Sequence, residues 1–197
     1  GWQVPPSMQP DRVEDNARLI DEFMGVALSD ERTLDGVPEA APQAPAGTAI
    51  VLFTDIAEST ALTERMGDAA FRAAARAIDE SVRGAMRRHG GSPVEGKVLG
   101  DGVMGVFSSA TQAIDAAREC VILGEELPMH IGLHAGDVIR EADNVYGGAV
   151  NIASRICGLC APGEILVSAT IRELARTSAG VTFEDRGKHL LKGVDDP

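Results

Sequence analysis

From Thr48 onward, segments with the residue pattern of β-strands alternate with segments patterned as α-helices, and this alternation limits the possible folds more than any other feature. Residues 49–55, AIVLFTD, form a near-continuous apolar run of β-formers, and residues 70–90 form a long helical pattern that ends at glycine. Residues 94–107 predict two strands around a Gly-Asp-Gly turn. Because hairpins occur among the interleaved elements, we expect an α+β fold, a mixed sheet with helices packed on one face, rather than an all-parallel sheet.

The remaining segments extend this pattern to the C-terminus. We expect helices over 109–120, 146–160 and 170–178, strands over 129–139 and 164–168, and a last hairpin over 181–194.

The first 47 residues differ in composition from the rest of the chain. Residues 11–25 place apolar side chains at mostly helical spacing, and residues 37–47, VPEAAPQAPAG, have the composition of a linker. We therefore expect residues 1–47 to be a helix and an Ala/Pro-rich linker, and residues 48–197 to be the main domain. The first residue is Gly rather than Met, which fits a fragment of a longer protein or a residue left by a tag. From the helix and linker pattern, we expect residues 1–47 to be the edge of a longer protein.

Composition limits the partners of the chain. Thirty acidic residues against 18 basic ones give a net charge of −12, which repels nucleic acid and anionic membrane surfaces. No apolar run approaches the ~20 residues of a membrane-spanning helix, and residues 1–10 lack the pattern of a signal peptide. We expect a soluble, cytoplasmic segment without a nucleic-acid partner and without direct membrane contact.

Three cysteines, Cys120, Cys157 and Cys160, argue against a secreted disulfide framework because their number is odd. The CGLC spacing invites a zinc or redox interpretation. There is no second pair and no histidine nearby in the sequence, so incidental cysteines are favoured.

Asp55 stands at the end of the first apolar strand, where a carboxylate serves as a helix cap or turn residue as readily as a ligand. Residues 56–60, IAEST, add backbone N–H groups and two hydroxyls that lead into a helix, an arrangement suited to phosphate. Asp101 lies in a turn that Asp-Gly chemistry alone would explain. If the first strand and the hairpin are neighbours, however, both acids reach one end of the sheet and could share two cations around a polyphosphate.

Several motifs in this order resemble the catalytic domain of class III nucleotidyl cyclases, most closely that of bacterial adenylate cyclases. The resemblance covers residues 48–194 and rests on LFTDIAEST, GKVLGDGVMGVF, HIGLHAGDV, VYGGAVNIASRI and LLKGV. It implies a ferredoxin-like (βαββαβ) core and a head-to-tail dimer with active sites at the interface. Because this chain holds both halves of a site, we expect a symmetric homodimer with two identical sites and a nearly inactive monomer.

The resemblance also implies a metal site and a phosphate site. Asp55, Asp101 and the backbone carbonyl of Ile56 would hold two Mg²⁺ or Mn²⁺ ions per active site. Ser59 and Thr60 would lie in the loop that holds the β- and γ-phosphates.

For catalysis, the resemblance implies that Asn151 orients the ribose and that Arg155 stabilises charge on the pentacoordinate phosphorus. The two residues are four apart, so they share one face of a helix, which by itself is typical of a solvated polar edge. Lys192 would bind the terminal phosphates. By itself, a lysine on the last expected strand is typical of a solvated surface residue. A guanidinium suits the task given to Arg155, because it donates bidentately and keeps its charge.

For the base, the resemblance implies contacts from Lys97, Asn144 and Val145. Lys97 only donates, which suits N1 of adenine, and matches adenylate-selective members of the family, whereas guanylate-selective ones commonly have glutamate there. Asn144 departs from the usual Asp or Thr, and its amide can serve N6 of adenine or O6 of guanine. Asp143 would not simply replace it, since a one-residue slip changes where a side chain points.

These observations favour an adenylate cyclase that converts ATP to 3′,5′-cyclic AMP and pyrophosphate by in-line attack of the ribose 3′-oxygen. One alternative is a guanylate or dual-specificity cyclase, in which GTP is also a substrate. Another is a catalytically silent nucleotide-binding regulatory module. Diguanylate cyclases are discounted, because LGDGVM does not supply their Gly-Gly-Asp/Glu-Glu-Phe hairpin.

Overall fold

The computed structural model describes residues 46–94 and 102–191. The helix expected over 11–25 lies outside the described residues, as does the linker except for its last two positions, Ala46 and Gly47, which begin the first strand. The domain boundary near Thr48 stays a prediction.

The described residues form one mixed sheet, as predicted. Five strands follow the order β2-β3-β1-β4-β5 with antiparallel neighbours, and β6 pairs in parallel with the first half of β4. The strands are β1 (Ala46–Ile56), β2 (Ser92–Pro93), β3 (Val103–Phe107), β4 (Met129–Glu141), β5 (Asn144–Tyr146) and β6 (Ile165–Val167).

Five helices accompany the sheet in the described part of the chain: α1 (Ser59–Met66), α2 (Asp68–Arg88), α3 (Ala110–Leu123), α4 (Gly148–Cys157) and α5 (Ala169–Ala175). Serines cap two of them: Ser109 Oγ accepts from the N–H of Gln112 at 3.5 Å, and Ser168 Oγ accepts from the N–H of Ile171 at 3.4 Å. Over residues 46–94 and 102–191, no helix has the length and hydropathy needed to cross a membrane.

The larger core lies on the face of the sheet that carries α2, α3 and α5. Every second residue of the central strands points into this core, such as Ile50 and Leu52 of β1 and Ile131 and Leu133 of β4. The long amphipathic α2 contributes Met86, which is fully buried.

The expectation that all helices share one face was wrong for α4, which packs on the opposite face. There Ala149 and Ala153 of α4 join Val51 of β1 and Val106 of β3 in a second apolar cluster. Gly132 of β4 makes the close approach possible, because a Cβ on Gly132 would lie 2.3 Å from the backbone nitrogen of Cys157. Helix α4 therefore lies almost directly on the strand backbone.

The expected last hairpin over 181–194 is not found in residues 181–191, which belong to no strand. A tight turn occurs instead: Asp185 Oδ1 accepts from the N–H of Gly187 at 2.8 Å, and Gly187 has a φ of 76°. Arg186 forms an ion pair with Glu164, which ties this segment to the loop before β6. These contacts hold residues 185–187 in place without strand pairing.

Candidate active site

A cleft of about 490 Å³ opens on the α4 face of the sheet. Strands β1, β4 and β5 and helix α4 all contribute to its walls. Its polar lining residues are Asp55, His130, Asn144, Tyr146, Asn151 and Ser154.

Strand parity places Asp55 in this cleft. Val51 and Phe53 of β1 pack in the α4-side cluster, and Asp55 is the next residue of the same parity. Its side chain is exposed, and it lies opposite His130 in the antiparallel pairing of β1 with β4. The acid that ends the apolar strand therefore faces solvent in a cleft rather than the core.

Ile56 has the opposite parity and anchors the end of β1. Its side chain is 5% exposed and packs with Leu62, Phe71 and Leu127. The next residue, Ala57, donates its N–H to the carbonyl of Pro128 at 2.8 Å. These contacts fix the backbone at the point where the carbonyl of Ile56 is the predicted ligand.

Ser59 and Thr60 begin α1, but neither lines the cleft. Glu58 precedes them with φ 53° and ψ 34°, a left-handed conformation that turns the chain from strand to helix. The carbonyl of Glu58 accepts the N–H of Leu62 at 2.9 Å. Helix geometry thus leaves the N–H groups of residues 59–61 without acceptors inside the helix.

The β4–β5 hairpin positions Asn144 and Val145. Asn144 pairs with Glu141 across a two-residue turn, and the first turn residue, Ala142, has a φ of 48°. Asn144 is half-buried and Val145 is 8% exposed, and both line the cleft. Asp143 is exposed in the turn and is not part of the lining.

On α4, the cleft receives Asn151 and, three residues later, Ser154. Asn151 and Arg155 are both exposed, and Arg155 lies outside the lining of the cleft. The helix enters through Gly147 at φ 133°, where a Cβ would lie 3.0 Å from the carbonyl oxygen of Asp137. Glycine at that position lets α4 begin close to the end of β4.

Lys97, Asp101 and Lys192 lie outside the described residues. The residue after Asp101 is described: a Cβ on Gly102 would lie 2.7 Å from the carbonyl oxygen of Thr54 and 3.8 Å from Oδ1 of Asp55. Strand β3 therefore enters the sheet directly beside the carboxylate of Asp55.

His130 and Ser154 line the cleft but were missed in the sequence. His130 Nδ1 is buried and has no hydrogen-bond partner in the described part of the protein, as is also true of His134 Nδ1. The alternation of apolar residues in 129–139 marks both histidines as facing away from the core. Only the pairing register shows that His130 is next to Asp55.

The cysteines of the CGLC motif serve as buried donors to backbone carbonyls. Cys157 Sγ donates to the carbonyl of His130 at 3.3 Å, and Cys160 Sγ donates to the carbonyl of Ile131 at 3.0 Å. Burial raises the pKa of both thiols above the ordinary value of a cysteine. Both side chains therefore join α4 to the start of β4, which is a structural role.

Residues 42–197 match the family model described as the adenylate and guanylate cyclase catalytic domain. The match spans well over half of the chain. The chain belongs to this family.

Relatives and solved structures are similar to this chain over most of its length. An uncharacterized protein of Mycobacterium tuberculosis is 32% identical over 149 residues, which are 74% of this chain and only 38% of that protein. The adenylate/guanylate cyclase/hydrolase from Silicibacter pomeroyi is 26% identical with a TM-score of 0.67, over 77% of this chain and 92% of that one. The adenylyl cyclase CyaB from P. aeruginosa, 22% identical, has the same fold with a TM-score of 0.66, over 79% of this chain and 92% of that one.

The described part of this cyclase domain holds no group of three or more His, Cys, Asp or Glu side chains placed to bind a metal. Asp55 is the one carboxylate among the described lining residues of the cleft. It is exposed, and a carboxylate oxygen is the donor that Mg²⁺ and Mn²⁺ prefer. Asp55 therefore fits a divalent metal ion as one of its ligands. Gly102 lies beside Asp55, so its neighbour in sequence, Asp101, is the expected second ligand.

Proposed function

We propose that this cyclase domain is an adenylate cyclase, which converts ATP to 3′,5′-cyclic AMP and pyrophosphate. The observation that carries the proposal is that Asp55, Asn144 and Asn151, from β1, β5 and α4, all line the cleft on the α4 face of the sheet, which a second copy would cover. The sequence resemblance assigns these three residues to metal binding, base recognition and ribose orientation.

Asp55, Asp101 and the carbonyl of Ile56 would hold two Mg²⁺ or Mn²⁺ ions. When bound, these ions would lower the pKa of the ribose 3′-hydroxyl and neutralise charge on the phosphates. The proximity of Gly102 to Asp55 supports the assignment of Asp101, because consecutive Cα atoms are only about 3.8 Å apart.

Protein groups would bind the phosphates and stabilise the transition state. The N–H groups and hydroxyls at the start of α1, from Ser59 and Thr60, would donate to the β- and γ-phosphates together with Lys192. Arg155 would donate to the oxygens of the α-phosphate as charge develops there, and Asn151 would hold the ribose. The 3′-hydroxyl would lose its proton to water as its oxygen attacks the α-phosphorus, and the bond from that phosphorus to the bridging α–β oxygen would break so that pyrophosphate leaves with the bonding electrons.

Base selection would depend on Lys97 as a donor to N1 of adenine and on the side-chain carbonyl of Asn144 as an acceptor from N6. Val145 is buried against the cleft and would supply apolar contact with the base. A second candidate, dual specificity for ATP and GTP, is favoured by the amide group of Asn144, which can rotate to donate to O6 of guanine.

A symmetric homodimer is also part of the proposal. Ile139 of β4 pairs directly with Tyr146 of β5. Ile139 is 44% exposed to solvent and Tyr146 is 49% exposed. Tyr146 also lines the cleft. An exposed apolar pair at the β5 edge of the sheet supports contact with a second copy. In the dimer that the resemblance implies, Asp55 of one copy would face Asn144, Asn151 and Arg155 of the other.

Assay of the purified protein with ATP and with GTP, each with Mg²⁺ and with Mn²⁺, tests the function. The expected product is cyclic AMP, with a larger kcat/KM for ATP than for GTP. Equal values for both nucleotides would replace adenylate with dual specificity. Binding of ATP without any cyclic product would instead identify a silent regulatory module.

A further inference from the structure

His130 of β4 brings an imidazole ring into the cleft beside Asp55, the carboxylate assigned to the metal ions. The two residues are direct partners in the antiparallel pairing of β1 with β4, and both line the cleft. Directly opposite residues of an antiparallel pair point to the same face of the sheet, with Cβ atoms about 4.5–5.5 Å apart. A ring nitrogen and a carboxylate oxygen from this pair can therefore reach one ion in the cleft.

The protein leaves the ring of His130 without a full set of hydrogen-bond partners. Nδ1 is buried and unpaired within the described part of the chain. A neutral imidazole has one N–H and one lone pair, so either a buried donor or a buried acceptor is unused at Nδ1. Such a group costs about 1–3 kcal/mol, which an apolar ring at this position would avoid. The cost points to a role for the ring outside folding, and Nε2 is the nitrogen that the cleft can reach.

The backbone at His130 is held from two directions. Strand pairing with β1 fixes it in the sheet, and its carbonyl accepts a hydrogen bond from Cys157 Sγ of α4 at 3.3 Å. His130 is also half-buried, so its side chain is partly packed. A donor on a rigid strand needs little rearrangement to bind an ion.

An imidazole beside a carboxylate changes which divalent ion the pair suits. Mg²⁺ takes oxygen ligands and gives up its waters reluctantly. A neutral imidazole nitrogen suits divalent transition metals, and Mn²⁺ is a first-row transition metal that binds sites of mixed nitrogen and oxygen. His130 is the one imidazole, and Asp55 the one carboxylate, among the described residues that line the cleft. The pair therefore favours Mn²⁺ over Mg²⁺.

We propose that His130 is a nitrogen ligand of the metal site and that, together with Asp55, it makes one metal position prefer Mn²⁺ to Mg²⁺. This inference rests on the proposed function, because it takes Asp55 as a metal ligand. Two protein donors leave the rest of the coordination shell to water and nucleotide phosphate. Both donors belong to the described strands β1 and β4, so the pair is defined without Asp101.

His134 provides a matched control on the same strand. Its Nδ1 is also buried without a hydrogen-bond partner in the described residues, and it lies about 13 Å along the strand from His130. It does not line the cleft, and it pairs with the apolar Val51 instead of a carboxylate. Burial lowers the pKa of His134, as is typical of a histidine that only packs. His134→Gln therefore changes a buried histidine without changing the proposed ligand pair.

Electron spin echo envelope modulation of bound Mn²⁺ detects a coordinated nitrogen nucleus without any turnover. The samples are wild type, His130→Gln and His134→Gln, each with Mn²⁺ alone and with Mn²⁺ and 3′-deoxy-ATP, which lacks the attacking hydroxyl. Wild type and His134→Gln should show the modulation from a histidine nitrogen. His130→Gln should lose it.

Affinity and kinetics measure the preference between the two ions. The free-ion electron paramagnetic resonance signal gives the dissociation constant of Mn²⁺, and competition gives that of Mg²⁺. In His130→Gln the constant for Mn²⁺ should rise at least about tenfold. The constant for Mg²⁺ should stay within about twofold, because an amide oxygen replaces the nitrogen. The Mn²⁺-to-Mg²⁺ ratio of kcat/KM for ATP should fall about tenfold in His130→Gln and stay within about twofold of wild type in His134→Gln.

Bound Mn²⁺ without a histidine modulation in wild type would overturn the inference, as would no Mn²⁺ binding under either condition. A modulation that His130→Gln retains, or an equal loss of preference in His134→Gln, would overturn it too. If His130→Gln does not fold, the wild-type spectrum decides the question together with His130→Phe, which keeps a ring and loses both nitrogens. A wild type that binds Mn²⁺ through His130 and forms no cyclic nucleotide would overturn the proposed function and support this ligand.

Discussion

Asp55 of β1 lies directly opposite His130 of β4, and both side chains line the cleft on the α4 face of the sheet. The Asp55 side chain is exposed, so replacing its carboxylate with an amide leaves no buried polar group without a partner. We expect Asp55→Asn to change the free energy of unfolding by less than about 1 kcal/mol and to lower kcat at least about 100-fold. Denaturant unfolding and a product assay on the same preparation check this, and full activity would remove Asp55 from the site.

Asn144→Asp should sharpen the choice of nucleotide. The carboxylate keeps an acceptor for N6 of adenine and loses the donor that can serve O6 of guanine. One discriminating hydrogen bond is worth about a factor of ten, so the ATP-to-GTP ratio of kcat/KM should rise about tenfold. Asp143→Asn in the adjacent turn is the control, because Asp143 does not line the cleft. An unchanged ratio in Asn144→Asp would mean that residue 144 does not contact the base.

Gly132→Ala should detach α4 from the sheet. The new methyl group would lie 2.3 Å from the backbone nitrogen of Cys157 and 2.6 Å from the carbonyl oxygen of Ala153, so the helix must move. We expect a loss of about 3 kcal/mol in unfolding free energy. Gly47→Ala is the control, since no heavy atom lies within 4 Å of a Cβ there. Equal stability of the two variants would contradict the packing of α4 on Gly132.

Alkaline pH should destabilise the fold through its buried thiols. Burial raises the pKa of Cys120 to about 12, against about 8.5 for a thiol in an unfolded chain. The unfolded state therefore loses protons first, and the stabilising contribution present below about pH 8.5 is lost progressively as pH rises towards 12. Denaturant unfolding between pH 7 and pH 10 should show falling stability in wild type and a shallower fall in Cys120→Ala. Equal slopes would mean that the Cys120 thiol ionises as readily in the folded protein.

Much of the fold could be read from local patterns. The strand expected over 129–139 is β4, Met129–Glu141, and the helix expected over 146–160 contains α4, Gly148–Cys157. The side of the sheet on which α4 packs could not be read in this way. It depends on Gly132, because only glycine leaves room there for the backbone of α4. A glycine within a strand pattern does not by itself show that a helix packs on it.

The family motifs in the sequence identified several of the residues that line the cleft. Asp55, Asn144, Val145 and Asn151 all line the cleft. His130 was not predicted, because its place beside Asp55 follows from pairing between strands more than 70 residues apart in sequence. Ser59, Thr60 and Arg155 lie outside the cleft lining of this single chain, which is compatible with a site completed by a second copy.

In the proposed dimer, Asp55 of one copy and Arg155 of the other act on the same ATP. The most direct measurement is cyclic AMP formation by a mixture of Asp55→Asn and Arg155→Ala, each inactive alone. Random pairing makes half of the dimers mixed, and each mixed dimer has one intact site of two, so about a quarter of wild-type activity should return. A mixture as inactive as its components, in subunits shown to exchange and with an active wild type, would contradict the account.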